Sequence, residues 1–517
     1  MKRDVVKRDA VKRTEVEVSQ GDRRPAEERP SRRSFIQGSL AALTVIGFDL
    51  DNRSWATEEN PATLPAAGFP QLKGELITQP DVLDWAANDF GNIVHRRPMA
   101  VLRPDSKWDV VAMVRFAKTY GIPIAARGQG HSTFGQSQVE AGVVIDMSTL
   151  SNIGPLGAAN TVGESSAWVD AGVRWSDLMR HTLPLGVAPP VLTDYIELSV
   201  AGTLSVGGIG AQGYRRGAQV DNVLGLEVVT GDGRRLFCSE NERRRLFYTV
   251  LGGLGQHAII LRAHLRLVPA PEQTRFYQAI YADLSVLLED LNRLVDDERF
   301  DTVQGFALGA DEGGWIYALE ATYNLGGTPP DDAALTGDLG FLPGQLETSD
   351  IPYFDYLNRV APTEALLREL GVWFFPHPWF HAFLPEENAE QFISETLGAR
   401  TAETFGQGLV LIYPYRRSAF TRPALRVPDS EKLILFGVLS NAIPPTPERA
   451  AEMIEDNREM DTRALALGGT TYPINPILKD TAAWREHYGP RWDRTVAFKD
   501  LYDPAGILTP GQGIFDS

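Results

Sequence analysis

At 517 residues the chain is long enough for several domains, and 43% hydrophobic with 23% charged residues excludes a disordered, collagenous or coiled-coil protein. Fifty Lys and Arg against 67 Asp and Glu give a net charge of −17, a surface that repels phosphate backbones and anionic lipid and argues against a nucleic-acid partner. The single cysteine, Cys238, excludes an internal disulfide and a cysteine metal cluster.

Residues 1–33 hold eleven Lys and Arg, and Arg32-Arg33 precedes the uncharged stretch 34–48. A charged n-region and a short apolar h-region predict a signal peptide, because fifteen residues are too few to cross a ~30 Å hydrocarbon core. The paired arginines resemble the twin-arginine export signal, which carries proteins already folded. Ser54-Trp55-Ala56 offers a small-x-small cleavage site. Removing residues 1–56 would leave 38 basic and 58 acidic residues, a net −20, and no other segment suggests a membrane anchor.

Residues 98–147 read as strand, helix, strand, Gly-rich loop, strand. Val110, Val111, Val114 and Phe116 recur at helical spacing, while 123–126 and 143–145 are short apolar runs. Residues 226–237 form a hairpin, because Asp232-Gly233 supplies the positive φ of its turn. A strand follows at 259–268, and Pro269 and Pro271 mark a domain boundary. Amphipathic helices at 284–295, 389–397 and 448–467 then alternate with strands at 408–413 and 433–439, a second α+β domain extending to 486. The tail, 487–517, holds a loop at 502–512 too rich in Pro and Gly for a helix.

Four motifs bear on chemistry. Arg127-Gly-Gln-Gly-His131-Ser132 lies between two strands, where amides around Gly128 and Gly130 can approach a pyrophosphate; the same glycines also suit a plain turn. Gly208-Ile-Gly210-Ala-Gln-Gly213 matches G-x-G-x-x-G, with Glu227 following after 19 residues, yet residues 214–222 are polar and cannot open the apolar helix of a Rossmann unit. His377 and His381 stand at helical metal spacing, but Pro378 breaks the helix and no HExxH glutamate is present, so no metal is expected. Asp194 and Glu320 are acids flanked by apolar residues, either functional groups or satisfied structural ones.

Together these segments resemble the cytokinin dehydrogenases (cytokinin oxidases), FAD-linked flavoproteins of the vanillyl-alcohol-oxidase superfamily. The carriers are RGQGHSTFGQ (127–136), LTDYIELSVAGTLSVGGIG (192–210), LFYTVLGGLGQ (246–256), WIYALE (315–320), FPHPWFHAFLP (375–385) and YDPAGILTPGQGIF (502–515). The resemblance implies an α+β fold: a PCMH-type FAD-binding domain of two subdomains (57–270, completed by 487–517) and an inserted substrate-binding cap (271–486).

It implies that His131 bonds covalently to the flavin, singly, since Cys238 is not at the second linkage position of bicovalent relatives. Arg127, Gly128, Gln129, Gly130, Ser132, Gln136, Asp194, Thr203, Ser205, Gly208 and Ile260 would line the cofactor, with Gln512 closing it from the tail. Asp194 would take the substrate amine proton, Glu320 would contact the purine, and Trp379 would wall the substrate channel. The implied reaction oxidises the N6 side chain of a cytokinin-type adenine to an imine, whose hydrolysis gives adenine and an aldehyde, with a quinone-type compound or O2 as electron acceptor. Alternatives are a related FAD oxidase of another amine, alcohol or sugar, and a secreted flavoprotein that only binds ligands.

Overall fold

The helical spacing of Val110, Val111, Val114 and Phe116 becomes the helix Lys107–Tyr120, whose apolar face is buried. Its start is fixed by Asp109, which accepts the Ser106 amide at 3.1 Å, and its end by Gly121 at φ 62°. In the computed structural model, which describes residues 45–49, 54–57 and 69–515 except 160, 162, 311, 312, 477 and 478, this helix connects strands of a first, four-stranded sheet. The strand order is Glu75–Ile77, Ala100–Arg103, Val143–Asp146, Ile124–Arg127, with the last three parallel.

The paired arginines and residues 1–44 lie outside the described residues. Val45–Asp49 and Ser54–Thr57 pair antiparallel. Trp55, within the expected cleavage site, is buried and packs on Phe69 and Phe116 at about 6 Å.

A second sheet is antiparallel, in the order Arg235–Ser239, Val223–Thr230, Ala258–Pro269, Ser165–Asp170, Gly157–Ala158. The expected hairpin is present, with Gly233 at φ 82° in its turn. After Pro269 the chain enters a third sheet of eight strands, starting with Gln273–Tyr281 and including Thr302–Gly309, Trp315–Asn324, Phe380–Pro385, Leu409–Arg416 and Lys432–Leu439. Leu284–Asp297, Glu386–Gly398 and Pro447–Ala466 pack against it.

The tail contains a helix that sequence periodicity missed, Trp492–Tyr502, in which Lys499 is the one buried residue. With no apolar stripe it has no helical signature. Its buried lysine holds the tail in place: Lys499 Nζ donates to Asp503 (2.7 Å), to the Gln256 carbonyl (2.9 Å) and to the Leu508 carbonyl (3.1 Å). Asp503 in turn accepts the amides of Ile507 and Leu508. The chain then bridges the first sheet, with Thr509 N–H donating to the Ile124 carbonyl at 2.8 Å.

Removing one partner of a buried ion pair strands the other charge, at a cost of about 3–5 kcal/mol. Asp503→Ala is expected to destabilise by that order in equilibrium unfolding. A loss no larger than that of an ordinary surface substitution would contradict this account of the tail.

Candidate active site

Strand Ile124–Arg127 delivers the chain into the Gly-rich loop. The carbonyls of Gly130 and Ser132 turn away to accept the amides of Phe90 and Gly91, at 2.8 and 2.9 Å. Among the described residues, the amides of 128–132 donate to no protein oxygen, so a row of free donors faces a cavity of about 330 Å³. Such a row fits an anionic centre such as a pyrophosphate.

Asp89 fastens the loop, accepting the Gly135 amide at 2.6 Å and the Ser132 hydroxyl at 2.9 Å. Burial pushes its pKa up to about 6, against the pull of those bonds and of Arg127. Arg127 is not in the cavity wall. Its guanidinium donates to the Asn88 carbonyl and stacks over Trp85 at 4.5 Å. It also lies where a side chain on residue 130 would go: a Cβ there would meet Arg127 Nη2 at 2.2 Å, and φ at Gly130 is 67°.

His131 lines the cavity, and among the described residues none hydrogen-bonds its ring. Burial lowers its pKa to about 3, so the imidazole is neutral at pH 7. It stacks on Phe90 at 4.0 Å, and His377 stacks on the opposite face of the same ring at 4.1 Å. His377 thus packs against aromatic rings, and His381 lies in strand Phe380–Pro385. Among the described residues no group of three or more His, Cys, Asp or Glu could hold a metal.

Asp194 lines the same cavity. One carboxylate oxygen accepts from Arg359 Nη2 at 2.5 Å and the other from the Tyr413 hydroxyl at 2.7 Å. Arg359 reaches on to Gln304 Oε1 at 3.3 Å, and Gln304 donates to Glu320 at 2.6 Å. Glu320 also accepts from Gln278 at 3.1 Å and, like Arg127, is absent from the cavity wall. Burial raises its pKa, opposed by Arg359 and the two glutamines.

Of the other expected site residues, Gly128, Gln129, Gly130, Ser132, Gln136, Thr203, Ser205, Gly208, Ile260, Trp379 and Gln512 all line the cavity. Gly208 follows helix Val200–Val206 and residues 213–216 make a single helical turn, so no Rossmann helix opens there. Sequence reasoning missed Asp89, Arg359 and Tyr413. Arg359 and Asp194 are far apart in the chain, and neither motif hints at the other. His381 was weighed only as a metal ligand; it lines the cavity, with a buried Nδ1 lacking a partner and a pKa lowered by burial to about 4.

Residues 307–515 match the family described as cytokinin dehydrogenase 1, FAD and cytokinin binding, and residues 98–239 match an FAD binding domain. Cytokinin dehydrogenase 5 of Oryza sativa subsp. japonica is 36% identical over 498 residues, covering 86% of this chain and 92% of that one. Cytokinin dehydrogenase 4 of Arabidopsis thaliana is 34% identical, covering 85% and 92%. An uncharacterized oxidoreductase of the fasciation locus of Rhodococcoides fascians is 38% identical, covering 83% and 96%. The solved structure of 6-hydroxy-D-nicotine oxidase from Arthrobacter nicotinovorans aligns with a TM-score of 0.64 over 85% of this chain and 97% of that one, at 24% identity, a likeness of fold. With a loop of free amides lining its cavity and relatives 34–38% identical over 83–86% of its length, the chain belongs to the cytokinin dehydrogenase family of FAD-linked oxidoreductases.

Proposed function

We propose that this enzyme oxidises the N6 side chain of cytokinin-type adenines, giving an imine that water splits into adenine and an aldehyde. The observation that carries the reading is the Asp194 carboxylate, facing the same cavity as His131 and fixed by Arg359 and Tyr413. The family match at 307–515, which spans Glu320, Arg359, Trp379 and Tyr413, supports the same substrate class.

The residues present fit FAD. The free amides of 128–132 suit its pyrophosphate; Thr203, Ser205, Gly208, Ile260 and Gln512 suit the rest, and His131 is the residue we assign to its covalent attachment. Bound FAD supplies a two-electron acceptor for hydride leaving the substrate carbon.

Asp194 acts on the adjacent nitrogen. Each oxygen already accepts one hydrogen bond, leaving lone pairs to accept the substrate N–H. Its charge stabilises the positive charge that grows on the C–N unit as hydride leaves. Arg359 and Tyr413 prevent it from swinging away, and Trp379 and Leu411 exclude water. We assign to Glu320 an indirect role in purine binding, exerted from behind the wall through Gln304 and Arg359. A second reading, oxidation of another amine, alcohol or sugar, is favoured by the absence of Glu320 from the wall. Screening isopentenyladenine, zeatin, simple alcohols and sugars for anaerobic flavin bleaching separates the two, and a ligand that perturbs the spectrum without bleaching would indicate a binder.

The purified protein should be yellow and keep its flavin after acid precipitation, and His131→Ala should lose it. Flavin freed by acid from the wild type would overturn covalent attachment while leaving FAD binding intact.

Asp194→Asn should slow stopped-flow flavin reduction roughly 10² to 10⁴-fold, the range for a lost general base, with fold and flavin content unchanged. Glu320→Gln should raise KM more than it lowers kcat. Wild-type reduction by Asp194→Asn would make Asp194 structural.

We further propose export through the twin-arginine signal. The packing of Trp55 on Phe116 argues against processing after Ala56, since that cut would remove a side chain buried in the first sheet's core. Replacing Arg32 and Arg33 by Lys should leave precursor in the cytoplasm. Undiminished export, or a mature N-terminus still carrying the pair, counts against it.

A further inference from the structure

In a chain with net charge −17, guanidinium groups find carboxylates readily. Arg416 lies 3.6 Å from Glu298, and Arg422 pairs with Glu240 at 2.8 Å. One cluster departs from this pattern. Arg417, Arg426 and Arg491 surround, with Arg422, a small cavity of about 80 Å³ between the segment 417–427 and the turn Gly489–Arg491. Among the described residues none of the three forms an ion pair.

Their donors are largely unspent. Arg417 gives one bond to the Phe420 carbonyl at 3.1 Å, while its Nε is buried without a partner. Arg426 makes a 3.3 Å bond to the His487 carbonyl. Each feels the others: burial and then the charges of Arg491 and Arg417 lower the pKa of Arg426, and burial followed by Arg494 and Arg417 lowers that of Arg491. Guanidiniums do not lose their protons at neutral pH, so deprotonation cannot relieve the repulsion, whereas a bound anion can.

We propose that this pocket binds a phosphate or sulfate group, free or carried on a small organic molecule. Planar guanidinium forks converging on a space of this size match a tetrahedral oxyanion, which can accept two parallel bonds from each fork. Glu240 leaves only part of the Arg422 charge to share, so the three unpaired arginines do the recognising. The pocket is separate from the cavity holding His131 and Asp194. It touches that cavity's backing, however: Leu425, in the pocket wall, packs against Gly207, between the cavity-lining Val206 and Gly208. An anion here would steady the segment that supports the flavin site from behind.

The test uses the flavin-loaded protein in a low-salt buffer free of phosphate and sulfate, titrated calorimetrically with inorganic phosphate and with glycerol 3-phosphate. Phosphate should bind and raise the unfolding temperature. Arg491→Glu, at an exposed turn position, should weaken binding roughly tenfold or more, as should Arg417→Gln, because each removes a charge-assisted donor. Without phosphate both variants should unfold at or above the wild-type temperature, since each relieves like-charge repulsion. Tighter binding of glycerol 3-phosphate identifies an organic phosphate as the ligand, and equal or weaker binding identifies the free ion. The proposal fails if the wild type binds neither probe at millimolar concentration, or if both variants respond to phosphate as the wild type does.

Discussion

The half-buried guanidinium of Arg359 ties Asp194 to the third sheet through Gln304, and the electrostatics of the site depend on it. Arg359 follows helix Tyr353–Leu357, beside the third sheet, whereas Asp194 belongs to the segment before helix Val200–Val206. Their 2.5 Å contact therefore spans the boundary between the flavin half and the cap. A charge taken out of water needs a partner, and Arg359 has one carboxylate in direct contact and a second relayed through Gln304. In the wall itself, Asp194 keeps lone pairs free beside its two hydrogen bonds. That suits a substrate on which positive charge develops.

Glu320 shows why strand register matters. Gln278 and Gln304 are its direct cross-strand neighbours on either side, so the three side chains form a polar row across the third sheet. The row holds the carboxylate away from the cavity wall, and burial raises its pKa. Glu320 is thus a polar anchor behind the wall, tied to Asp194 through Gln304 and the same arginine.

What was legible in the sequence was local. The helix 107–120, the hairpin with Asp232-Gly233 and the Gly-rich loop each announce themselves through spacing or a residue that demands positive φ. His131, Asp194 and Trp379 were found through motifs and do share one cavity. Arg127 misled because motif adjacency says nothing of direction: its side chain leaves the wall and stacks over Trp85. Arg359 and Tyr413 carried no signal because their roles exist only once distant segments meet. Trp492–Tyr502 escaped because a helix that buries a single lysine has no apolar stripe to read.

The tail has a consequence for how the molecule is made. Ile124, at the edge of the first sheet, is bridged by Leu508 and bonded by Thr509, and Gln512 closes on the Leu254 carbonyl. A ribosome releasing the chain from its N-terminus can complete the cap sheet, whose strands all precede residue 472, while the flavin half still lacks its last edge. The cofactor pocket is therefore sealed only once residues 508–512 have been made. Loss of residues 506–512 would be felt at the strand that carries the Gly-rich loop.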